Sequence, residues 1–382
     1  MVVVNDIAKR AIKLLQIYIE HLGYKPLIHF ELEGCFLQPS SGLPQQLNFP
    51  LLNKQLAALN IDGQLVPEYW SNQWEYISLF NGQSPLKEAD NLSQAIQKIP
   101  SLFALQGISK TMIKPVVWSG DSGRLAVGSK DIFTHEYRAV HIPNAIQMNV
   151  SAIDSNGDNL VPKAHFGELL QQSFLCSSLS CSLLYLPEEE AFERLKLKEQ
   201  YGLAEELCSP NDISGGHQGS IALYKKVGKH NQLMGEEPLL YDHNNKVVRS
   251  TSDWKKTARI EHRLGASSIY YNAYTNVVFG LLNLVEALEN YNDDSYSEIK
   301  NKNDFSEKLP ESLYDQNDKS NQKGAVSLFI ESNWFNTSLN KIELKVNNIP
   351  PHSYKSNERL GDKLKSAIVH TYQQPIIMLR NN

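Results

Sequence analysis

The stretch Pro26-Leu27-Ile28-His29-Phe30-Glu31-Leu32-Glu33 decides how the rest of this 382-residue chain is read. In an extended strand, alternate residues share a face, so His29, Glu31 and Glu33 point one way and Ile28, Phe30 and Leu32 point the other, towards an apolar core. The two carboxylates then stand roughly 6–7 Å apart along the strand. Like charges held that close on a rigid element repel unless a cation sits between them. A hard divalent ion such as Mg²⁺ or Mn²⁺ meets that need, because it prefers oxygen ligands. A solvated strand face can carry the same E-x-E pattern, so its meaning depends on the company the pair keeps.

Composition is that of a globular protein, with 41% hydrophobic and 21% charged residues. A formal net charge of −5 gives no general pull towards nucleic acid or an anionic membrane. Cys35, Cys176, Cys181 and Cys208 form no C-x-x-C pattern and are too few to staple a chain this long, so they read as free thiols in a reducing compartment. No basic region followed by an apolar stretch opens the chain, and the apolar run near Val277 to Val285 is too short to span a bilayer. A cytoplasmic protein is the expectation.

Asn5 or Asp6 can cap a helix with Ile7, Ala11, Ile12, Leu15, Ile19 and Leu22 at helical spacing, and Gly23 ends it. The Glu31/Glu33 strand follows at once. Residues 38–95 are rich in Pro, Gln, Asn and Ser and read as loops with short elements. The pattern then predicts a helix over Leu92 to Leu105, strands at Lys114 to Trp118 and Ala145 to Ile153, and helices over His165 to Leu175 and Glu188 to Glu206. The last of these carries charges suited to an exposed face. Strands at His217 to Val227 and Ala258 to Leu264 precede a mostly apolar helix over Asn272 to Leu288. From Glu289 to Lys323 the composition turns to Asn, Asp, Lys, Ser and Glu, which reads as a mobile insertion interrupted by Leu309-Pro310-Glu311-Ser312-Leu313. Ala325 to Phe335 reads as a helix, and the tail after Lys341 as a weak strand or loop.

Two further segments supply groups that the carboxylate pair could use. Ser214-Gly215-Gly216-His217 puts an imidazole at the start of a strand, behind glycines that let a ligand come close. In Arg259-Ile260-Glu261-His262-Arg263 the strand phase sets a carboxylate between two guanidiniums on one face. That arrangement suits either mutual ion pairs or a metal-binding Glu261 beside an arginine that grips a carboxylate or phosphate. Lys255 and Lys256 add positive charge suited to a nucleotide. His135-Glu136 and Gln147 form a vaguer third segment.

Taken in order, these segments resemble the catalytic domain of glutamine synthetase over roughly residues 6–335. That family runs a helix into a strand bearing E-x-E, then S-G-x-H, then R-I-E-x-R leading into a helix that begins Asn-Pro-Tyr. Here Glu31-Leu32-Glu33, Ser214-Gly215-Gly216-His217 and Arg259-Ile260-Glu261-His262-Arg263 occur in that order, with Asn272-Ala273-Tyr274 opening the apolar helix. Leu309-Pro310-Glu311-Ser312-Leu313 is similar to the family's late L-P-x-S-L segment.

The resemblance implies an α+β fold: a curved, mainly antiparallel sheet with helices packed outside. Residues 1–335 would form the catalytic domain, with 289–323 a mobile polar insertion and 336–382 a C-terminal extension. It implies ATP and Mg²⁺ or Mn²⁺ as cofactors. Glu31, His217 and Glu261 would hold one metal at the ATP phosphates. Glu33 would hold the second, with help from Glu136 and Gln147. Arg259, Lys255 and Lys256 would face the nucleotide, and Arg263 would hold developing negative charge. The implied reaction is phosphorylation of a glutamate γ-carboxylate, or a similar one, followed by attack of ammonia or an amine. A homo-oligomer or a partner subunit is implied as well.

The chain also departs from the family. Gln147 stands where a metal-binding Glu belongs and brings no charge. Gly219 replaces a polar residue expected after His217. The interval from His217 to Glu261 is too short to hold the family's substrate-binding arginines, for which Arg249 is a substitute without motif support. The first helix starts close to Met1, so the expectation is that the family's N-terminal β-grasp domain is absent unless another polypeptide supplies it. These departures favour a second reading, a catalytically weakened homologue serving as a nucleotide-binding, regulatory or structural subunit.

Overall fold

The computed structural model describes residues 2–37, 47–79, 82–118, 126–127, 137–138, 140–197, 220–225, 240–241, 247–249, 257–293, 308–316, 322–350 and 358–380. In chain order the first elements are α1 (Val2–His21), β1 (Lys25–Phe36), α2 (Phe49–Ala58), β2 (Gly63–Pro67), β3 (Gln73–Ser78) and α3 (Pro85–Ala104). Then come β4 (Thr111–Met112), β5 (Val116–Trp118), β6 (Ala126–Val127), β7 (Tyr137–Arg138), β8 (His141–Pro143) and β9 (Ile146–Ile153). Three helices follow, α4 (Phe166–Ser178), α5 (Ser182–Tyr185) and α6 (Glu190–Leu197), and then β10 (Ile221–Tyr224), β11 (Leu240–Tyr241), β12 (Val247–Arg249) and β13 (Arg259–His262). The chain closes with α7 (Ala273–Asn292), α8 (Ala325–Glu331), α9 (Trp334–Asn347) and α10 (Leu360–Arg380).

The strand read from Pro26 to Glu33 is the middle of the molecule. A seven-stranded sheet runs in the order β10-β13-β9-β1-β3-β2, with β4 also on β1. Its pairings are antiparallel throughout. Against β9, β1 pairs Glu31 with Gln147 and His29 with Asn149; against β3 it pairs Glu33 with Glu75. Cross-strand partners share a face, so one face collects Glu31, Glu33, Glu75, Gln147, Asn149 and Glu261. The other carries Ile28, Phe30, Leu32, Trp74, Tyr76, Met148, Val150 and Ile260, all buried. Glycine is required at Gly34, opposite Trp74, where a Cβ would lie 2.4 Å from the indole and 2.9 Å from the Met112 carbonyl.

Helices cover the apolar face. α3 and α7 lie against β1, α7 also against β9, and α4 against β10 and β13. α1 packs on α7, and α9 and α10 pack on α1 and on each other. α1 buries Val4, Ala8, Ala11, Ile12, Leu15 and Ile19 and stops at Gly23, whose φ of +90° is left-handed. There Tyr24 N–H donates to Ile19 C=O at 3.1 Å, closing the helix end. α7 is capped by Asn272, whose side chain accepts from Thr275 N–H at 3.1 Å.

Several sequence expectations need correction. α1 begins at Val2, ahead of the expected cap. The region read as loops with short elements contains α2, β2, β3 and the start of α3, which is capped by Ser84 and opens at Pro85 rather than Leu92. Glu289 is not the start of an insertion: it lies in α7 and accepts from Tyr18, Lys341 and Lys345, so its polarity ties helices together. Residues 308–316 are packed, with Leu309 and Leu313 buried. The reading of 294–307 and 317–321 as mobile lies outside the described residues. Among the described residues the tail after Lys341 is mainly helical, in α9 and α10. Leu339, Ile342, Val346, Leu360, Leu364 and Ile368 join the main core at spacings of three and four.

Candidate functional site

Short strands with strict alternation deliver a row of carboxylates, amides and guanidiniums to the polar face, and hydrogen bonds link them in series. Asn149 Nδ2 donates to Glu31 Oε1 at 3.1 Å, and Arg259 Nε donates to Asn149 Oδ1 at 2.7 Å. Arg259 Nη2 then donates to Glu261 Oε2 at 2.8 Å, and Arg263 Nη1 donates to Glu261 Oε1 at 2.8 Å. Arg263 Nη1 also reaches Tyr224 Oη at 3.2 Å, and the Arg259 guanidinium lies 4.8 Å from the centre of the Tyr224 ring. Further along β1, again towards β9, Glu33 accepts from Ala145 N–H at 2.8 Å and from Gln147 Nε2 at 3.2 Å.

This network is deeply buried: Glu261 is 0% exposed, and Asn149, Arg259, Arg263, Glu31 and Gln147 are all buried. Charge at that depth must be matched locally. Burial alone would lower the Arg263 pKa, but Glu261, then Tyr224, Glu31 and Glu33, outweigh it and hold the guanidinium above its ordinary value. Arg194, on α6, is buried too. Burial pushes it down to about 10, Arg263 adds to that fall, and Glu33 opposes it. Its Nη2 donates to Arg263 C=O at 3.2 Å and its Nη1 to Leu264 C=O at 3.4 Å.

Glu31, Glu33, Gln147, Arg259, Glu261 and Arg263 lie together on the polar side of the sheet. Glu136, His217, Lys255 and Lys256 lie outside the described residues, as does the side chain of Arg249. His29 shares the strand phase, yet its Nδ1 lies 3.4 Å from Glu88 Oε1 on α3, in a buried pair that also involves Ser78. His262 faces the apolar side, against Phe174, Tyr185 and Phe279, with Nε2 3.2 Å from Ser178 Oγ. Glu75, Asn149, Arg194 and Tyr224 were not singled out from sequence. The alternation Gln73-Trp74-Glu75-Tyr76 carried the signal for Glu75. Arg194 sat in a helix read as an exposed charged face, and nothing local marks it.

The donor set fits a divalent cation at one end only. Glu31, Glu33 and Gln147 offer oxygens, and Gln147 Oε1 is buried with no hydrogen-bond partner among the described residues. Such an acceptor suits a hard cation. Glu261 does not fit as it stands, because each of its oxygens accepts from a guanidinium. Among the described residues no three His, Cys, Asp or Glu side chains are grouped as a metal centre. A cavity of about 200 Å³ lined by Leu183, Leu184, Tyr270 and Ile368 contains none of these residues.

No protein-family model matches the chain, and no curated protein matches it. Solved structures do. A structure described as a novel glutamine synthase homolog aligns with a TM-score of 0.58 at 14% identity, over 93% of this chain and 74% of that one. The fold is glutamine-synthetase-like. Apo GmaS aligns at 0.53 and 13% identity, and a GmaS/ADP complex at 0.54 and 12%, each over 96% of this chain and 74% of that chain. Identities this low speak to the glutamine-synthetase-like fold and not to activity. No helix among the described residues is long and apolar enough to cross a membrane.

Proposed function

We propose that this chain is a divergent glutamine-synthetase-like protein that binds ATP on the polar face of its sheet and in which carboxylate–amine ligase chemistry is weakened. The observation that carries this reading is the fate of Glu261. It lies on the face shared by Glu31 and Glu33, but both its oxygens are taken by Arg259 and Arg263. The neutral Gln147 opposite Glu31 adds to the same conclusion. A fold shared with a GmaS/ADP complex supports the nucleotide.

Glu31, Glu33 and the Gln147 carbonyl would hold Mg²⁺ or Mn²⁺, with Glu136 and His217 as further candidates. When bound, the ion neutralises phosphate charge. Arg263 and Arg259, fixed by Glu261, would offer guanidinium donors on the face where a phosphate or an acidic substrate would sit. Lys255 and Lys256 would add to it at the nucleotide. Burial strengthens each of these interactions relative to water.

The second reading is a working ligase that phosphorylates glutamate or a similar carboxylate and transfers it to ammonia or an amine. The gathering of Glu31, Glu33, Glu261 and Arg263 on one face favours it. ADP release by purified protein with Mg²⁺ or Mn²⁺, glutamate and a panel of amines separates the two. The weakened reading predicts slow or undetectable release, and brisk release with any amine would establish the ligase.

A further inference from the structure

We propose that Arg194 is a positioning residue of the candidate site, fixing the main chain of Arg263 and through it the guanidinium that Arg263 presents to Glu261. The inference rests on the reading of the polar sheet face as the binding site. Arg194 belongs to an eight-residue helix on which Glu193 and Lys196 are more than half exposed, whereas Arg194 is 4% exposed. It sits on the buried face of α6, beside Ala191 and Leu195, where a charged side chain has to be matched by polar partners. Its fork spans two consecutive carbonyls, Arg263 and Leu264, where β13 has just ended. On the other side Arg263 N–H donates to Ser220 C=O at 3.0 Å. Both main-chain polar groups of Arg263 are thereby tied, one towards β10 and one to α6. Only side-chain rotation remains, and it brings Nη1 to 2.8 Å from Glu261 and 3.2 Å from Tyr224.

A neutral amide could cap two carbonyls at lower desolvation cost, so the charge itself calls for a reason. On this face Glu31, Glu33, Glu75 and Glu261 confront Arg259 and Arg263, and Arg194 adds a third guanidinium within the field of Glu33. Its Nε is buried with no hydrogen-bond partner among the described residues. Arg194 is placed to serve the site's geometry and charge balance.

The test uses the full chain labelled with ¹⁵N-arginine, with the Arg263 Nε–H signal assigned from Arg263→Lys. Arg194→Lys keeps the charge but loses the planar fork, and Arg194→Gln keeps an amide donor without the charge. The expected result is a folded variant in which the Arg263 signal shifts or broadens while the other arginine signals stay. ATP affinity should fall about tenfold, equivalent to about 1.4 kcal/mol. The double variant Arg194→Lys/Arg263→Lys should bind no worse than Arg263→Lys alone, because the two act as one unit. An unmoved Arg263 signal in a folded variant, or additive losses in the double variant, would overturn the proposal. So would failure of both variants to fold, which would make Arg194 a purely structural residue. If the unaltered protein binds no ATP, the functional reading fails, and the Arg263 signal still decides the positioning role.

Discussion

Glu261 and His262 are adjacent in sequence and opposite in consequence. Glu261 points into the polar face, where two guanidiniums depend on its charge. Glu261→Gln would leave Arg259 and Arg263 buried without their counter-charge, and loss of one partner from a buried ion pair costs about 3–5 kcal/mol. Urea unfolding should show a drop of that order. His262 points into the apolar core, where burial pushes its pKa down to about 3. The folded state then keeps it neutral while the unfolded chain binds a proton below pH 6.5. Its contribution is present in full above that value and is lost as the pH falls towards 3, by about 1.4 kcal/mol per pH unit in between. Carboxylates add acid sensitivity of the same sign, so the comparison is with His262→Asn. That variant should lose distinctly less of its own stability between pH 7 and pH 5 than the unaltered protein does. Equal losses would show that His262 does not titrate on unfolding.

At the scale of elements, strands whose alternation was strict were legible from sequence, and elements held by tertiary contacts were not. Pro26 to Glu33 and Ala145 to Ile153 alternate apolar and polar residues, one set against the helices and the other in the polar network, although nearly every residue of both strands is buried. β3 carries the same alternation in Gln73-Trp74-Glu75-Tyr76, but its surroundings of Pro, Asn and Gln disguised it. The C-terminal helices were misread because their apolar residues are sparse, and become a stripe only against α1. Arg194 and Asn149 act through partners remote in sequence, which no local pattern announces. Two substitutions test this layer. Gly34→Ala must push a Cβ into Trp74 and the Met112 carbonyl, and overpacking of that kind costs about 1–3 kcal/mol. Leu364→Ala should cost about 2–5 kcal/mol by thermal or urea unfolding, since Leu364 is fully buried in the main core. A cost near zero at Leu364 would make residues 336–382 an appendage rather than part of the folded body.

For the whole molecule, one sheet separates two environments: an apolar face sealed by α3, α4 and α7, and a polar face on which Arg259 and Arg263 pair with Glu261. The fold is shared with glutamine-synthetase-like structures, while the proposed weakening rests on the neutral Gln147 and on the pairing of Glu261 with two guanidiniums. The account therefore separates binding from turnover. Binding should depend on the Glu31, Glu33 and Gln147 end of the face, to which the proposed reading assigns the divalent ion. The most direct test is a calorimetric titration of ATP into the full chain with Mg²⁺ and again with the metal chelated, beside the same pair of titrations for Glu33→Gln. The account predicts binding at least about tenfold tighter with Mg²⁺, and loss of that difference in Glu33→Gln. Equal affinity with and without Mg²⁺, or no binding in either condition, would contradict it.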